Sequence, residues 1–208
     1  MNVAYVIPFD IWQARGLWVR LEERMRIWAE LDLKATILVC TPSRSAPGSM
    51  EVPKPHSLRQ VSSVTSSMAT FALARVVSGL QPDVVYLRYG LPYPGLIRMA
   101  RKFPTAIEVH SNDLVEAAFR PHKYRIVIRA LRRPLLNAVN GAVFVDPDLA
   151  SAPSFARIHG PRVTIPNGIA LDPGMVYGGG RNRTWSVPRL LMAVGALEPW
   201  QGLDKLLD

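Results

Sequence analysis

Mostly apolar runs of three to six residues alternate with helix-periodic stretches between residues 3 and 165 of this chain. A short run that is apolar at consecutive positions, rather than at alternate ones, reads as a strand buried on both faces. Parallel sheets supply that environment, because their crossover helices cover both faces. The first run, residues 3–7, is Val-Ala-Tyr-Val-Ile and stops at Pro8. After a loop containing Gly16, the residues Leu17, Leu21, Met25 and Trp28 recur at three- and four-residue steps, with Arg20, Glu23, Arg24 and Glu30 between them. That spacing predicts an amphipathic helix over residues 17–31. Residues 35–40 form the second run, so the chain opens as strand, helix and parallel strand.

The alternation continues. Residues 84–87, 105–109, 142–145 and 163–165 are predicted as further buried strands, and residues 68–80, 93–102, 123–139 and 148–158 as the helices among them. Residues 42–67 are rich in Pro and Ser and read as a long surface connection, with a short strand near residues 58–61. Strands alternating with helices imply an α/β fold with a doubly wound parallel sheet of six or seven strands. Hydrophobic residues at 49% exclude a disordered chain, which could not bury enough apolar surface to offset its ordering entropy.

Beyond that domain the pattern changes. Residues 170–188 hold Asp172-Pro173-Gly174 and Gly178-Gly179-Gly180 with little periodicity, as a linker does. A new apolar run begins at residue 190, and a helix starts near Leu203. One strand and a helix stub cannot bury a core of their own. The expected organisation is a first domain over 1–170, a linker over 171–188 and the beginning of a truncated second domain over 189–208.

Several classes fall away on composition and motif. No apolar run reaches the ~18 residues a membrane span needs, and no basic segment precedes the first apolar stretch as a secretory leader would require. A cytoplasmic protein is therefore expected. The single cysteine, Cys40, excludes an intrachain disulfide and a multi-cysteine zinc site, and reads as a small buried hydrophobe. No metal site is expected. No Walker A sequence is present, and the turn Pro8-Phe9-Asp10 is not a G-x-G-x-x-G turn. A dinucleotide oxidoreductase is disfavoured on that ground.

Polar clusters at strand ends are the candidate sites. In an open parallel sheet, ligands bind beyond the carboxyl ends of the strands. His110-Ser111-Asn112-Asp113 follows the strand at 105–109 directly. His110 is either a site residue, able to bond a hydroxyl or phosphate oxygen, or an ordinary loop histidine. Asp113 is a helix cap or a ligand contact. Arg88 ends a neighbouring strand and either binds an anionic or polyhydroxyl ligand or pairs with Glu108. His56, His122 and His159 have no metal-ligand spacing and read as surface residues. Residues 120–133 carry six basic side chains, among them Lys123, Arg125, Arg129, Arg132 and Arg133, and no acidic one, in a chain of net charge +9. Interleaved apolar residues make this a basic amphipathic helix, suited to an anionic membrane surface or to a solvated face. Few aromatic residues accompany it, so nucleic acid is not an expected partner.

The turn Val163-Thr164-Ile165-Pro166-Asn167-Gly168-Ile169 resembles the V-I-P-N-G-V-D turn of the family 4 glycosyltransferases. Residues 190–204, which include Gly195-Ala196-Leu197-Glu198-Pro199-Trp200-Gln201-Gly202, resemble the opening of that family's second domain, F-V-G-R-L-x-P-x-K-G-x-D. Glu108-Val109-His110-Ser111-Asn112-Asp113 is similar to its E-x-H-G-x-D, and Val143-Phe144-Val145-Asp146 to its A-V-I-x-V-S step.

The resemblance implies a Rossmann-like domain forming the N-terminal half of a GT-B fold. It also implies retaining transfer of a sugar from a nucleotide-diphosphate donor, without metal or other cofactor, to a lipid-linked or polysaccharide acceptor. It gives His110 the catalytic position touching the transferred sugar. Gly16, Arg88, Asp113 and Asn167 become substrate-binding candidates, and Gly195, Ala196, Gln201 and Gly202 the donor diphosphate loop. Ala196 and Gln201 stand where the family has an arginine and a lysine, so neither supplies a cation. A non-catalytic membrane- or partner-binding module on the same fold is the alternative reading, and an epimerase of GT-B architecture a third. The chain by itself is expected to be inactive or weakly active.

Overall fold

Seven strands, all parallel, frame the protein in a computed structural model that describes residues 1–9, 15–41, 52–62 and 66–167. The strands are β1 (Asn2–Ile7), β2 (Lys34–Thr41), β3 (Ser57–Ser62), β4 (Val84–Arg88), β5 (Thr105–Val109), β6 (Gly141–Phe144) and β7 (Arg162–Thr164). The helices are α1 (Arg15–Glu30), α2 (Ser66–Leu80), α3 (Pro94–Lys102), α4 (Asp113–Phe119), α5 (His122–Ala138) and α6 (Pro147–Ser151). Spatial order is β3-β2-β1-β4-β5-β6-β7. The order reverses between β1 and β4, the topological switch of a Rossmann-like doubly wound sheet.

Side-chain alternation sorts each strand between two cores. Val3, Tyr5 and Ile7 of β1, with Ala35, Ile37 and Val39 of β2, pack on Leu21 and Met25 of α1. Ala4, Val6, Leu38, Val85, Leu87, Ile107, Val109 and Phe144 point the other way, against α2, α3 and α5 through residues such as Leu73, Leu96 and Leu135. Each fully buried Val, Leu, Ile, Met or Phe side chain among them contributes ~1.5–3 kcal/mol. Helices α2 and α3 touch at Gly95, where an added Cβ would overlap the Thr70 carbonyl. Only glycine allows that approach.

The structure departs from the sequence-based expectations at several points. Gly16 lies in the first turn of α1 rather than in the loop before it. The expected buried strand at 163–165 is the exposed edge strand β7, since it pairs with β6 alone. The helix expected over 148–158 stops at Ser151, and a 3₁₀ turn follows over Pro153–Phe155. Pro153 lacks the N–H that would continue the helix. Helix α4 is additional. His56 is buried rather than on the surface: its Nδ1 accepts from the Ala35 N–H at 3.0 Å and its Nε2 donates to the Met25 carbonyl at 2.7 Å. One imidazole thus joins α1 to β2. The linker and the start of a second domain, with Gly195, Ala196, Gln201 and Gly202, lie outside the described residues. No described helix is long and apolar enough to cross a membrane.

Candidate functional site

Glu108 occupies an inward position in an otherwise apolar strand, Thr-Ala-Ile-Glu-Val. Register places it beside Arg88 of β4, and Tyr5 of β1 lies beside Tyr86 of the same β4. Alternation then puts Tyr5, Tyr86, Arg88 and Glu108 on one face of the sheet, the face that α1 covers. A carboxylate only 2% exposed needs compensation. Arg24, on α1, provides it with two bonds, Nη2 to Oε1 at 2.6 Å and Nη1 to Oε2 at 2.9 Å. The Tyr5 hydroxyl donates to Oε2 at 2.7 Å.

The guanidinium itself is packed among rings, with its Cζ 5.6 to 5.9 Å from the centroids of Tyr5, Trp28 and Tyr86. Arg88 adds a second cation, its Nη1 3.9 Å from Glu108 Oε2, so the expected Arg88–Glu108 pairing is present at long range. Burial pushes the Glu108 carboxyl up, but the His110 and Arg24 contacts outweigh it and hold the group well below the usual carboxylate range. Burial and the Glu108 charge push Tyr5 and Tyr86 well above the usual phenol range.

His110 is the first residue past β5, at the carboxyl rim. Its side chain is 18% exposed, and its Nε2 sits 2.9 Å from Glu108 Oε1. That nitrogen is buried and lacks the alignment of a full hydrogen bond. The carboxylate therefore faces one edge of the ring. Arg88 lies at the switch point, its Cζ 5.9 Å from the centroid of Phe9, which follows β1. Asn167 is exposed beyond β7 at the same rim.

Asp113 is not the α4 cap, which corrects that expectation, and its carboxylate is already engaged by neighbouring side chains. The α4 cap is Asn112, whose side chain accepts from the Leu114 N–H at 3.1 Å. The Asp113 carboxylate, buried, takes the Tyr89 hydroxyl at 2.8 Å and Arg132 Nε at 2.8 and 3.0 Å. Arg132 in turn donates Nη1 to the Ser154 carbonyl at 2.6 Å and covers the Phe155 ring. Arg132 was expected at a membrane surface. With 11% of its side chain exposed it instead ties α5 to α4 and the 3₁₀ turn. Lys123, Arg125, Arg129 and Arg133 do lie exposed on α5, and Arg125 also donates to the carbonyls of Ala117 and Ala118 at the end of α4.

Tyr5 and Arg24 were not singled out from sequence. Their signal was Glu108 itself, since a carboxylate inside a strand of buried-strand composition demands a cation from an overlying helix. Among the described residues no group of three His, Cys, Asp or Glu side chains could hold a metal ion. Compared with models of known protein families and with curated proteins, the chain matches none.

Proposed function

We propose that the domain is the acceptor side of a retaining glycosyltransferase, moving a sugar from a nucleotide-diphosphate donor to a lipid-linked or polysaccharide acceptor. One observation carries this reading: His110 stands at the carboxyl rim, beside the sheet's switch point, with a clamped carboxylate behind its imidazole. Such a ring is oriented before any ligand arrives. It can bond a sugar hydroxyl without losing rotational freedom at that moment.

In the transfer the anomeric carbon–oxygen bond to the diphosphate breaks, and an acceptor hydroxyl oxygen bonds to the same face of that carbon, its proton passing to the departing diphosphate. Negative charge grows on the leaving diphosphate, and Arg88, which ends β4 at the same rim, is the cation we assign to it. Motif order along the chain supports the same class, from the Glu108-Val109-His110 step to the Pro166-Asn167-Gly168 turn. The exposed cations of α5 suit an acceptor met at an anionic membrane surface, on the inner, cytoplasmic side.

The test is label transfer from a panel of radiolabelled nucleotide sugars to a bacterial-type lipid extract and to soluble glycans, with His110→Ala as the paired control. Transfer that falls at least about tenfold in the variant supports the reading, since a charge-assisted hydrogen bond is worth ~1.5–3 kcal/mol. Transfer undiminished in His110→Ala, or, where the chain alone transfers nothing, no binding of any nucleotide sugar, lipid or glycan by ligand-observed NMR, refutes it. The non-catalytic module is then the reading that remains, and Ala196 and Gln201 are the sequence features in its favour.

A further inference from the structure

Helices α4 and α5 border a groove of about 470 Å³ lined by five arginines, Arg125, Arg129, Arg132, Arg133 and Arg157. Among the described residues, Arg132 is the only one of the five in an ion pair, through its Nε and Asp113. Arg129, Arg133 and Arg157 thus line one groove without an ion-paired carboxylate among the described residues, and Arg125 beside them is held by the Ala117 and Ala118 carbonyls. Repulsion among them is relieved by an anion.

Arg132 supplies a second, independent sign. Its Nη1 is held by the Ser154 carbonyl, yet its Nη2 is buried without a hydrogen-bond partner, as is the Ser154 hydroxyl. Arg132 is thereby fixed as the groove's inner wall, and its unmatched charge adds to the positive potential there. Guanidinium forks match the oxygens of phosphate in spacing and plane. Leu114 of α4 lines the groove and is exposed, and Val115 and Ile126 are exposed on the same two helices. An apolar border next to a cationic groove fits a ligand with a phosphate head and a hydrocarbon tail.

The geometry points to a phosphate site: the α4–α5 groove takes a phosphate monoester or diphosphate group, and its apolar border favours a lipid as the carrier. This rests on the membrane contact of the proposed function for the source of the ligand and not on the transfer chemistry. It assigns Arg132 to holding the groove's inner wall, with Arg129 and Arg133 as open contacts.

Sedimentation of the chain with three sets of vesicles tests it: neutral phosphatidylcholine alone, with phosphatidic acid, and with a fatty-acid carboxylate matched in surface charge. Thermal shift with inorganic pyrophosphate runs alongside. Preference for phosphatidic acid is expected. Replacing Arg129→Gln and Arg133→Gln together should weaken it roughly 25-fold, since each arginine near an anionic surface is worth roughly fivefold. Leu114→Ser with Val115→Ser should weaken vesicle binding while leaving a pyrophosphate shift in place.

A saturable pyrophosphate shift without vesicle binding, lost in the arginine variant, keeps the phosphate site and assigns it a soluble ligand. Equal binding to phosphate and carboxylate vesicles, or no loss in the arginine variant with its circular dichroism unchanged, overturns the site. His110→Ala should bind the vesicles as the parent does. A failed transfer reaction and a failed phosphate site are therefore told apart.

Discussion

Replacing Arg24 by Met removes the main counter-charge of Glu108 and keeps most of the side chain's packing among Tyr5, Trp28 and Tyr86. Stripping one partner from a buried ion pair costs ~3–5 kcal/mol. Here Arg24 is 30% exposed, and the carboxylate keeps the Tyr5 hydroxyl, so the lower end, about 3 kcal/mol at pH 7, applies. A ceiling follows from proton uptake. Left unpaired, Glu108 can fold protonated, which costs ~1.4 kcal/mol for each pH unit above the ~4.3 of a free glutamate. That ceiling is about 4 kcal/mol at pH 7 and about 1 kcal/mol at pH 5. The loss should therefore shrink as the solution is acidified from pH 7 to pH 5. Urea unfolding followed by far-ultraviolet circular dichroism reads it: with a slope of ~2 kcal/mol/M, the midpoint should fall by about 1.5 M at pH 7 and about 0.5 M at pH 5. A shift below about 0.3 M at pH 7, or one of equal size at both pH values, refutes the buried-pair argument.

Three further outcomes follow from the same chemistry. The folded Glu108 carboxyl is held below its unfolded range, so the unfolded chain binds a proton first and stability falls as pH drops below about 4.5; in Glu108→Gln that part of the acid dependence of the urea midpoint should disappear. Tyr5, Tyr86 and Tyr89 are all raised, chiefly by burial, so the folded state keeps protons that the unfolded chain loses, and stability should fall above about pH 10. A spectrophotometric titration should show these three of the six tyrosines ionising only with unfolding. His56→Ala strands the Ala35 N–H and removes the second hydrogen bond of the Met25 carbonyl, and a loss of about 1–3 kcal/mol in the unfolding free energy from urea curves is expected, with His56→Phe no better because it restores neither bond.

Strand positions and helix positions were legible because burial on both faces leaves a dense apolar signature that loops lack. Residues 3–7, 84–87 and 105–109 sit within β1, β4 and β5 for that reason. What pattern could not show was which elements meet. The placement of Glu108 depends on its register with Arg88 and on α1 crossing above it, and both are tertiary facts. Asp113 shows the same limit from the other side. Its position one residue into a helix is compatible with capping, and only the approach of Tyr89 and Arg132 reveals a buried pair with Asn112 as the cap. The neighbours of His56, Lys54, Pro55 and Ser57, are polar or turn-forming, so no local pattern marks it as buried. Nothing local says that Met25 and Ala35 leave a carbonyl and an N–H for it to join.

A buried Arg–carboxylate pair is a weak source of stability, since well-packed apolar residues of the same volume often do as well or better. The Arg24–Glu108 clamp is therefore hard to explain as a device for holding α1 to the sheet, since Ile7, Leu21 and Met25 already join α1 to β1 by apolar packing. Its geometry bears on His110 instead. Arg24 takes one oxygen from each side of the carboxylate and Tyr5 shares the second, so the Oε1 that faces His110 Nε2 is fixed in position. A fixed oxygen gives the imidazole a single favourable edge, which is what a ring at an open rim lacks when only water surrounds it. The cluster reads most simply as a foundation for the histidine: the ionic and hydroxyl bonds below the rim set an orientation above it, at the strand end where an open parallel sheet receives its ligands.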